Sequence, residues 1–405
     1  MADAVIVAAS RSPIGRAYKG SLKDVRADDL AATIVRAALQ QVPQLDPGDI
    51  DELILGCAQP AGEQGYGLGR IVAVLLGLDH VPGVTVQRYC ASSLQSTRMA
   101  VQAIRSGDGS VYVSAGVEMV SRYGAGKSDG MPGTHNPLFE QAQQRTAELC
   151  TGEGAWTDPR LAGALPDAYV AMGQTAEHVA QLYDVSRSDQ DAYAVLSQNR
   201  AEKAVADGFW RRDITPVHLP DGTCVDSDDC PRSGTTLEGL EALKPVFRPE
   251  GTVTAGNCCP LNDGAAALVI MSDTRAAELG LTPLARILST SVSATSPEIM
   301  GITPVEASRR ALAQAGMTMD DVDLVEMNEA FAAQVVASQR QLDIDVSRLN
   351  VHGGAIALGH PFGMTGARLT TTLLNALRWD DKEIGLETMC AAGGQGMAMV
   401  VQRLS

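Results

Sequence analysis

Two stretches of this 405-residue chain repeat one order of elements at a nearly constant offset, and that repeat narrows the folds open to it. Asp49-Ile-Asp-Glu-Leu-Ile-Leu-Gly56 returns as Asp321-Val-Asp-Leu-Val-Glu-Met-Asn328, each after an Ala-rich amphipathic pattern (DDLAATIVRAALQQV and PVEASRRALAQAG). A similar offset, about 270 residues, carries the turn at Thr85–Cys90 and its helix onto Gly359-His-Pro and the helical pattern over 367–377. It also carries Val111–Gly116 onto the stretch ending at Cys390. Two halves in one element order imply duplication about a pseudo-two-fold axis, with a period far longer than a solenoid repeat. Within the first half, strand-like runs (4–8, 51–56, 84–88, 111–116) alternate with helical patterns (28–41, 69–76, 92–105). That alternation predicts a layered α/β fold.

The halves differ in length. Residues 119–250 have no counterpart in the second half and are rich in Gly, Pro, Asp and Gln, as in Gly124–Gly133. The expected division is therefore 1–118 plus 251–272 for the first half, an inserted loop-rich subdomain over 119–250, and 273–405 for the second half. Helices are expected at about 173–207. Insertions of this kind commonly carry substrate and subunit contacts.

Composition removes several classes. A net charge of −16 argues against nucleic acid, whose phosphates need clustered Lys and Arg. No apolar run reaches the ~18 residues of a membrane span, and the N-terminal stretch lacks a basic region ahead of an apolar one. A cytoplasmic protein is expected. The eight cysteines then read as reduced thiols, mostly small core residues, and without CxxC or HxxxH spacing no structural zinc is expected.

Four segments carry candidate chemistry. Cys90 stands where a strand gives way to a helix beginning near Ser92, and a helix N-terminus lowers a thiol pKa. In Asn350–Arg368, five glycines allow close backbone approach, and His360, between Gly359 and Pro361, is placed for general-base work. The repeat puts His360 in the place of Cys90, so the two should meet across the pseudo-axis. His352 reads as a loop histidine satisfied by backbone. In Met389–Gly396 a strand ends in Cys390, followed by small residues whose N–H groups suit an oxyanion. Asn328, in Met327–Ala332, is either an N-cap or a group that positions a water or a carbonyl.

Together these segments resemble the thiolase family over essentially the whole chain. The motifs are VQRYCASSLQS, TAGN and LNDGAAA within Thr254–Ala267, NEAFAA, NVHGGAIALGHPFGMTGAR and CAAGGQG, in that order. The resemblance implies a duplicated α-β-α-β-α fold with an inserted loop subdomain. It implies an acyltransferase that moves acyl groups between coenzyme A and acyl-CoA, with no metal or organic cofactor and with self-association as a homodimer or homotetramer.

By the same resemblance Cys90 is the nucleophile, His360 activates it, and Cys390 is the second acid/base. Asn328 holds a water that completes one oxyanion hole with His360, and the backbone N–H groups of Cys90 and Ala392 form the other. Each hole is worth about 3–4 kcal/mol. Arg232 is expected at the nucleotide end of CoA, with Leu243, Ala255 and Cys259 along the pantetheine path, Met172 and Met300 around the acyl group, and Phe331 among the substrate or CoA contacts.

Several positions depart from the family pattern. Cys259 replaces a common Ser, Ser93 a common Gly, Ala391-Ala392 a glycine-rich pair, and Ala171 a His frequent in short-chain members. The last leaves room for a longer or branched 3-ketoacyl chain. The alternatives are a catalytically silent acyl-CoA-binding relative and a ketoacyl-synthase-like enzyme, which would pair its cysteine with two histidines.

Overall fold

The computed structural model describes residues 2–126, 133–151 and 154–405, so most of the Gly124–Gly133 stretch lies outside it. The strands are β1 (Ala4–Arg11), β2 (Gly15–Arg16), β3 (Glu52–Gly56), β4 (Gly83–Val86), β5 (Val111–Met119), β6 (Val217–His218) and β7 (Cys224–Val225). They continue with β8 (Asn262–Ser272), β9 (Ala285–Ala294), β10 (Leu324–Met327), β11 (Ile384–Ala391) and β12 (Gln395–Arg403). Ten of them form one sheet in the order β10-β11-β12-β9-β1-β8-β5-β3-β4, with β2 alongside β8.

The sequence repeat reappears as a repeat of pairing. In the first half β3 pairs in parallel with β4 and β5, and β8 joins β5 and β1 antiparallel. In the second, β10 pairs in parallel with β11, and β12 joins β11 and β9 antiparallel. A single parallel bridge from Val325 to Leu349 takes the place of β4. Even the polar detail recurs: the Asp51 carboxylate accepts from the N–H groups of Ser110 and Val111, and Asp323 accepts from Glu383 and Ile384.

Side-chain alternation turns this sheet into five layers. Along β8, Ala265, Ala267, Val269 and Met271 pack outward against the helices Ala27–Gln40 and Leu68–Leu75. Ala266, Leu268 and Ile270 pack inward, in a core shared with the helices Ser92–Ser106 and Thr365–Trp379. Along β12, Met397, Met399 and Val401 face that same central core. Ala398 and Val400 face the opposite way, toward the helices Thr303–Ala315 and Ala332–Leu342. The two central helices are the duplicated ones, and Gly366 lets them touch: a Cβ there would lie 2.3 Å from the Leu94 nitrogen. Ser93, at the position where Gly is common, accepts the Ala367 N–H at 3.0 Å and so satisfies a helix-terminal donor of the other half.

The region between β5 and β8 is less loop-like than expected. It contains the helices Glu140–Thr151, Met172–Leu182 and Arg187–Asp207 and the β6–β7 hairpin. The helical stretch expected over 173–207 breaks at Tyr183–Ser186, where Asp184 takes φ of 50° and Ser186 opens a capping box with Asp189. Among the described residues no helix is long and apolar enough to cross a membrane.

Candidate active site

Cys90 sits in a tight turn between β4 and the helix Ser92–Ser106. The Arg88 N–H donates to Ser92 Oγ at 2.9 Å, and Ser92 Oγ donates to the Tyr89 carbonyl at 2.6 Å. Tyr89 is held at φ of 45°, a left-handed conformation that costs a non-glycine residue about 1 kcal/mol. The turn leaves the half-buried Cys90 on the wall of a cavity of about 550 Å3, with Ala58, Ala171, Met172, Phe362 and Ala392 among its neighbours.

Helix-dipole reasoning expects a depressed pKa here, and the structure reverses the sign. Burial pushes the Cys90 thiol up to about 12, although the N–H groups of Ala392 and of Cys90 itself favour the thiolate; the Glu118 carboxylate adds to the rise. A helix terminus contributes at most about 2 kcal/mol, and removal from water outweighs it. The same two N–H groups are the pair expected to form an oxyanion hole, and the Ala391-Ala392 substitution leaves the Ala392 N–H aimed at the sulfur. Cys390, at the end of β11, is fully buried, and its pKa is raised by burial and by Cys90.

His360 has only 1% exposure and is held at both ring nitrogens. Nδ1 lies 2.6 Å from Thr365 Oγ1, whose own proton goes to the Pro361 carbonyl at 2.7 Å. The hydroxyl therefore accepts, and the imidazole proton sits on Nδ1. Nε2, the lone-pair nitrogen, lies 3.2 Å from Asn328 Nδ2, which donates to it. Burial, then the nearby Arg368 charge, pushes His360 down to about 3, so the ring is neutral. Its backbone N–H donates to Asn262 Oδ1 at 2.9 Å. A Cβ on Gly359 (φ 116°) would lie 2.6 Å from that amide, so only glycine fits the approach. Asn328 follows β10 beside β11, whose penultimate residue is Cys390, and parallel pairing brings these two residues to one end of the second half-sheet.

Residue-level profiles for known families match at this point. The description "Thiolase, N-terminal domain" covers residues 4–274, and "Thiolase, C-terminal domain" covers residues 281–403. The chain belongs to the thiolase family. It is 42% identical to a beta-ketoadipyl-CoA thiolase of Acinetobacter baylyi and 43% identical to an acetyl-CoA acetyltransferase of Pseudomonas aeruginosa, with all of each chain covered. The crystal structure of human mitochondrial 3-ketoacyl-CoA thiolase in complex with CoA superposes with a TM-score of 0.86 at 35% identity, over 100% of this chain and 98% of that one. Like its relatives, this thiolase is a CoA-dependent acyltransferase.

Not every expected contact residue lies where the resemblance put it. Met172 lines the Cys90 cavity, but Met300 and Phe331 are core residues, 2% and 8% exposed, that pack behind it. Arg232 and Ala255 line a separate small cleft with Arg16, Gly256 and Cys258. Leu243 is not on that cleft's wall; it packs against Gly256. Cys259 lies close enough to Cys90 and Cys390 for their charges to raise its pKa beyond the effect of its own burial. His352 is held by side chains and not by backbone, stacked 3.8 Å from Phe209 with Asp380 Oδ2 at 3.3 Å. Of the eight free thiols Cys57, Cys230 and Cys390 are buried, Cys224 is exposed and the other four are partly buried, so fewer are core residues than expected.

Three supporting residues escaped the sequence reading. Glu118, buried at the end of β5, accepts from the N–H groups of Ala58 and Gly363 and from Gln64 and Tyr123, each at 2.8 Å. It thereby ties the cavity wall to the His360 loop. Glu329 accepts from Tyr193, Ser197, Asn350 and the Ile356 N–H, which seats the glycine-rich segment. Thr365 lay inside a quoted motif, and its spacing of five from His360 was the available signal.

Proposed function

We propose that this thiolase cleaves a 3-ketoacyl-CoA with free CoA, or runs the reverse condensation, through a thioester on Cys90. The observation that carries the reading is the hydrogen-bonded His360: its Nε2 is a lone pair, held by Asn328 on one side of the ring and by Thr365 on the other. In cleavage, His360 Nε2 exchanges the Asn328 Nδ2 hydrogen bond for the Cys90 proton as the sulfur attacks the C3 carbonyl. With the thiol near 12 and the imidazole near 3, no resting ion pair forms, so proton transfer accompanies attack. The oxyanion forms against the Cys90 and Ala392 N–H groups. The C2–C3 bond breaks, and the Cys390 thiol, kept protonated by its surroundings, gives its proton to C2, releasing acetyl-CoA. The Cys390 thiolate then takes the proton of incoming CoA, whose sulfur attacks the thioester. The tetrahedral oxyanion faces His360 and a water bridged to Asn328 Oδ1, a buried acceptor that has no partner among the described residues. Cys90 leaves with the proton stored on His360.

The Arg16 and Arg232 cleft supplies positive charge suited to the phosphates of CoA, and no organic cofactor or metal enters this scheme. The division into 1–118 plus 251–272, 119–250 and 273–405 belongs to this reading, and the recurrence of one strand-pairing pattern in the two outer parts supports it. β4 forms an open sheet edge, and Val74 and Leu75 on the adjacent helix are exposed, which supports a homodimer formed across that edge. Eight free thiols suit the cytoplasm. Incubation with 3-ketooctanoyl-CoA should leave an acyl mass adduct on wild-type protein and none on Cys90→Ala. Unmodified wild type, with no product after CoA is added, would remove the reading.

A further inference from the structure

The cavity beyond Cys90 is too large and too polar at its outer wall for an acetoacetyl unit alone. An acetoacetyl group, with six non-hydrogen atoms, fills roughly 180 Å3, six water-sized shares, whereas the cavity holds about 550 Å3. Small side chains (Ala58, Ala61, Ala168 and Ala171) keep it wide. Among its described lining residues none is Asp, Glu, Lys or Arg, and the outer wall ends in Thr134, His135 and Tyr169.

His135 is fixed there as a hydrogen-bond donor. Its ring stacks on Tyr169 with centroids 4.0 Å apart and planes 6° from parallel. Tyr169 is itself held by the Asn136 N–H, 3.1 Å from its hydroxyl, and by the edge of Phe139 at 5.4 Å. Gln143 Nε2 lies 2.8 Å from His135 Nδ1. An amide nitrogen only donates, so Nδ1 accepts and the ring proton is on Nε2. The other polar edge of this stacked ring is an N–H, with no hydrogen-bond partner among the described residues.

We infer that His135 is a specificity-determining residue that recognises an acceptor, a carboxylate or carbonyl, at the far end of an acyl chain longer than acetoacetyl. The inference rests on the thiolase reading and names the substrate class of that same site. The stack restricts the ring before binding, so little conformational freedom is lost when the acceptor docks. An acyl chain of equal length ending in methyl leaves the N–H without a partner and is discriminated against.

The test compares thiolysis of 3-oxoadipyl-CoA, 3-oxohexanoyl-CoA and acetoacetyl-CoA by wild type, His135→Phe and Gln143→Leu. The first two substrates share a six-carbon acyl chain and differ only at its end. We expect kcat/KM to favour 3-oxoadipyl-CoA over 3-oxohexanoyl-CoA by about tenfold, the worth of one charge-assisted hydrogen bond at a solvated wall. The ratio should fall to about one in His135→Phe and to an intermediate value in Gln143→Leu, which frees the tautomer. A wild-type ratio of one or less, a preference for acetoacetyl-CoA, or a ratio untouched by both variants overturns the inference while leaving the thiolase reading intact. Failure of wild type to cleave any of the three overturns both.

Discussion

Replacing Thr365 with Val isolates the proton placement on His360 with little change of shape. Two hydrogen bonds disappear: the 2.6 Å contact at His360 Nδ1 and the 2.7 Å contact to the Pro361 carbonyl. The second loss is small, because that carbonyl still accepts from the Met364 N–H at 3.1 Å. The first is not. His360 has 1% exposure, so a stranded Nδ1–H costs about 1–3 kcal/mol. Moving the proton to Nε2 offers no escape, since it would then face the donating Asn328 Nδ2 at 3.2 Å and leave no base for Cys90. At 1.36 kcal/mol per factor of ten, kcat/KM for thiolysis should fall about 5- to 150-fold. Thr365→Ser keeps both bonds and should stay within about threefold of wild type. The assay is thiolysis of a 3-ketoacyl-CoA followed by loss of enolate absorbance, with thermal unfolding as the control for folding. A Val variant with wild-type kcat/KM and pH profile, or a Ser variant as impaired as Val, would refute the tautomer argument.

Two further outcomes follow from the buried ionisable groups. With the Cys90 thiol pushed up to about 12, its alkylation by iodoacetamide should rise about tenfold per pH unit from 6 to 9; a plateau below pH 8 would mean that the thiolate is already formed. Glu326 and Glu387 lie side by side on β10 and β11, and burial raises each to about 8. Each holds its proton more tightly in the fold than in the unfolded chain. Its contribution to stability is therefore full below about pH 4.3 and fades as the pH rises through about 8. Melting temperature should drop between pH 5.5 and 8.5, and Glu387→Gln, which preserves an acceptor for Thr370, should flatten that drop. Parallel pH curves for the two proteins would contradict the assignment.

The chain's own order of residues determined the duplication and the alternation of strands and helices, and put forward Cys90, His360, Cys390 and Asn328 as candidates. Each is a local pattern: periodicity reports which face is buried, and glycine-rich turns report where backbone must bend. Tertiary structure decided what those residues are chemically. The helix terminus next to Cys90 is visible in sequence and argues for a low pKa, but desolvation depends on every element packed around the thiol, and it won. The same holds for partners far apart in the chain. Thr365 is five residues from His360, yet its role depends on where its own proton goes, and Glu118 reaches Gly363 only because the two half-sheets close on each other. By resemblance Met300 was expected at the acyl pocket and Phe331 among the substrate or CoA contacts, and both side chains lie in the core, because whether a side chain faces a cavity or its wall is set by packing, which no single stretch of sequence contains.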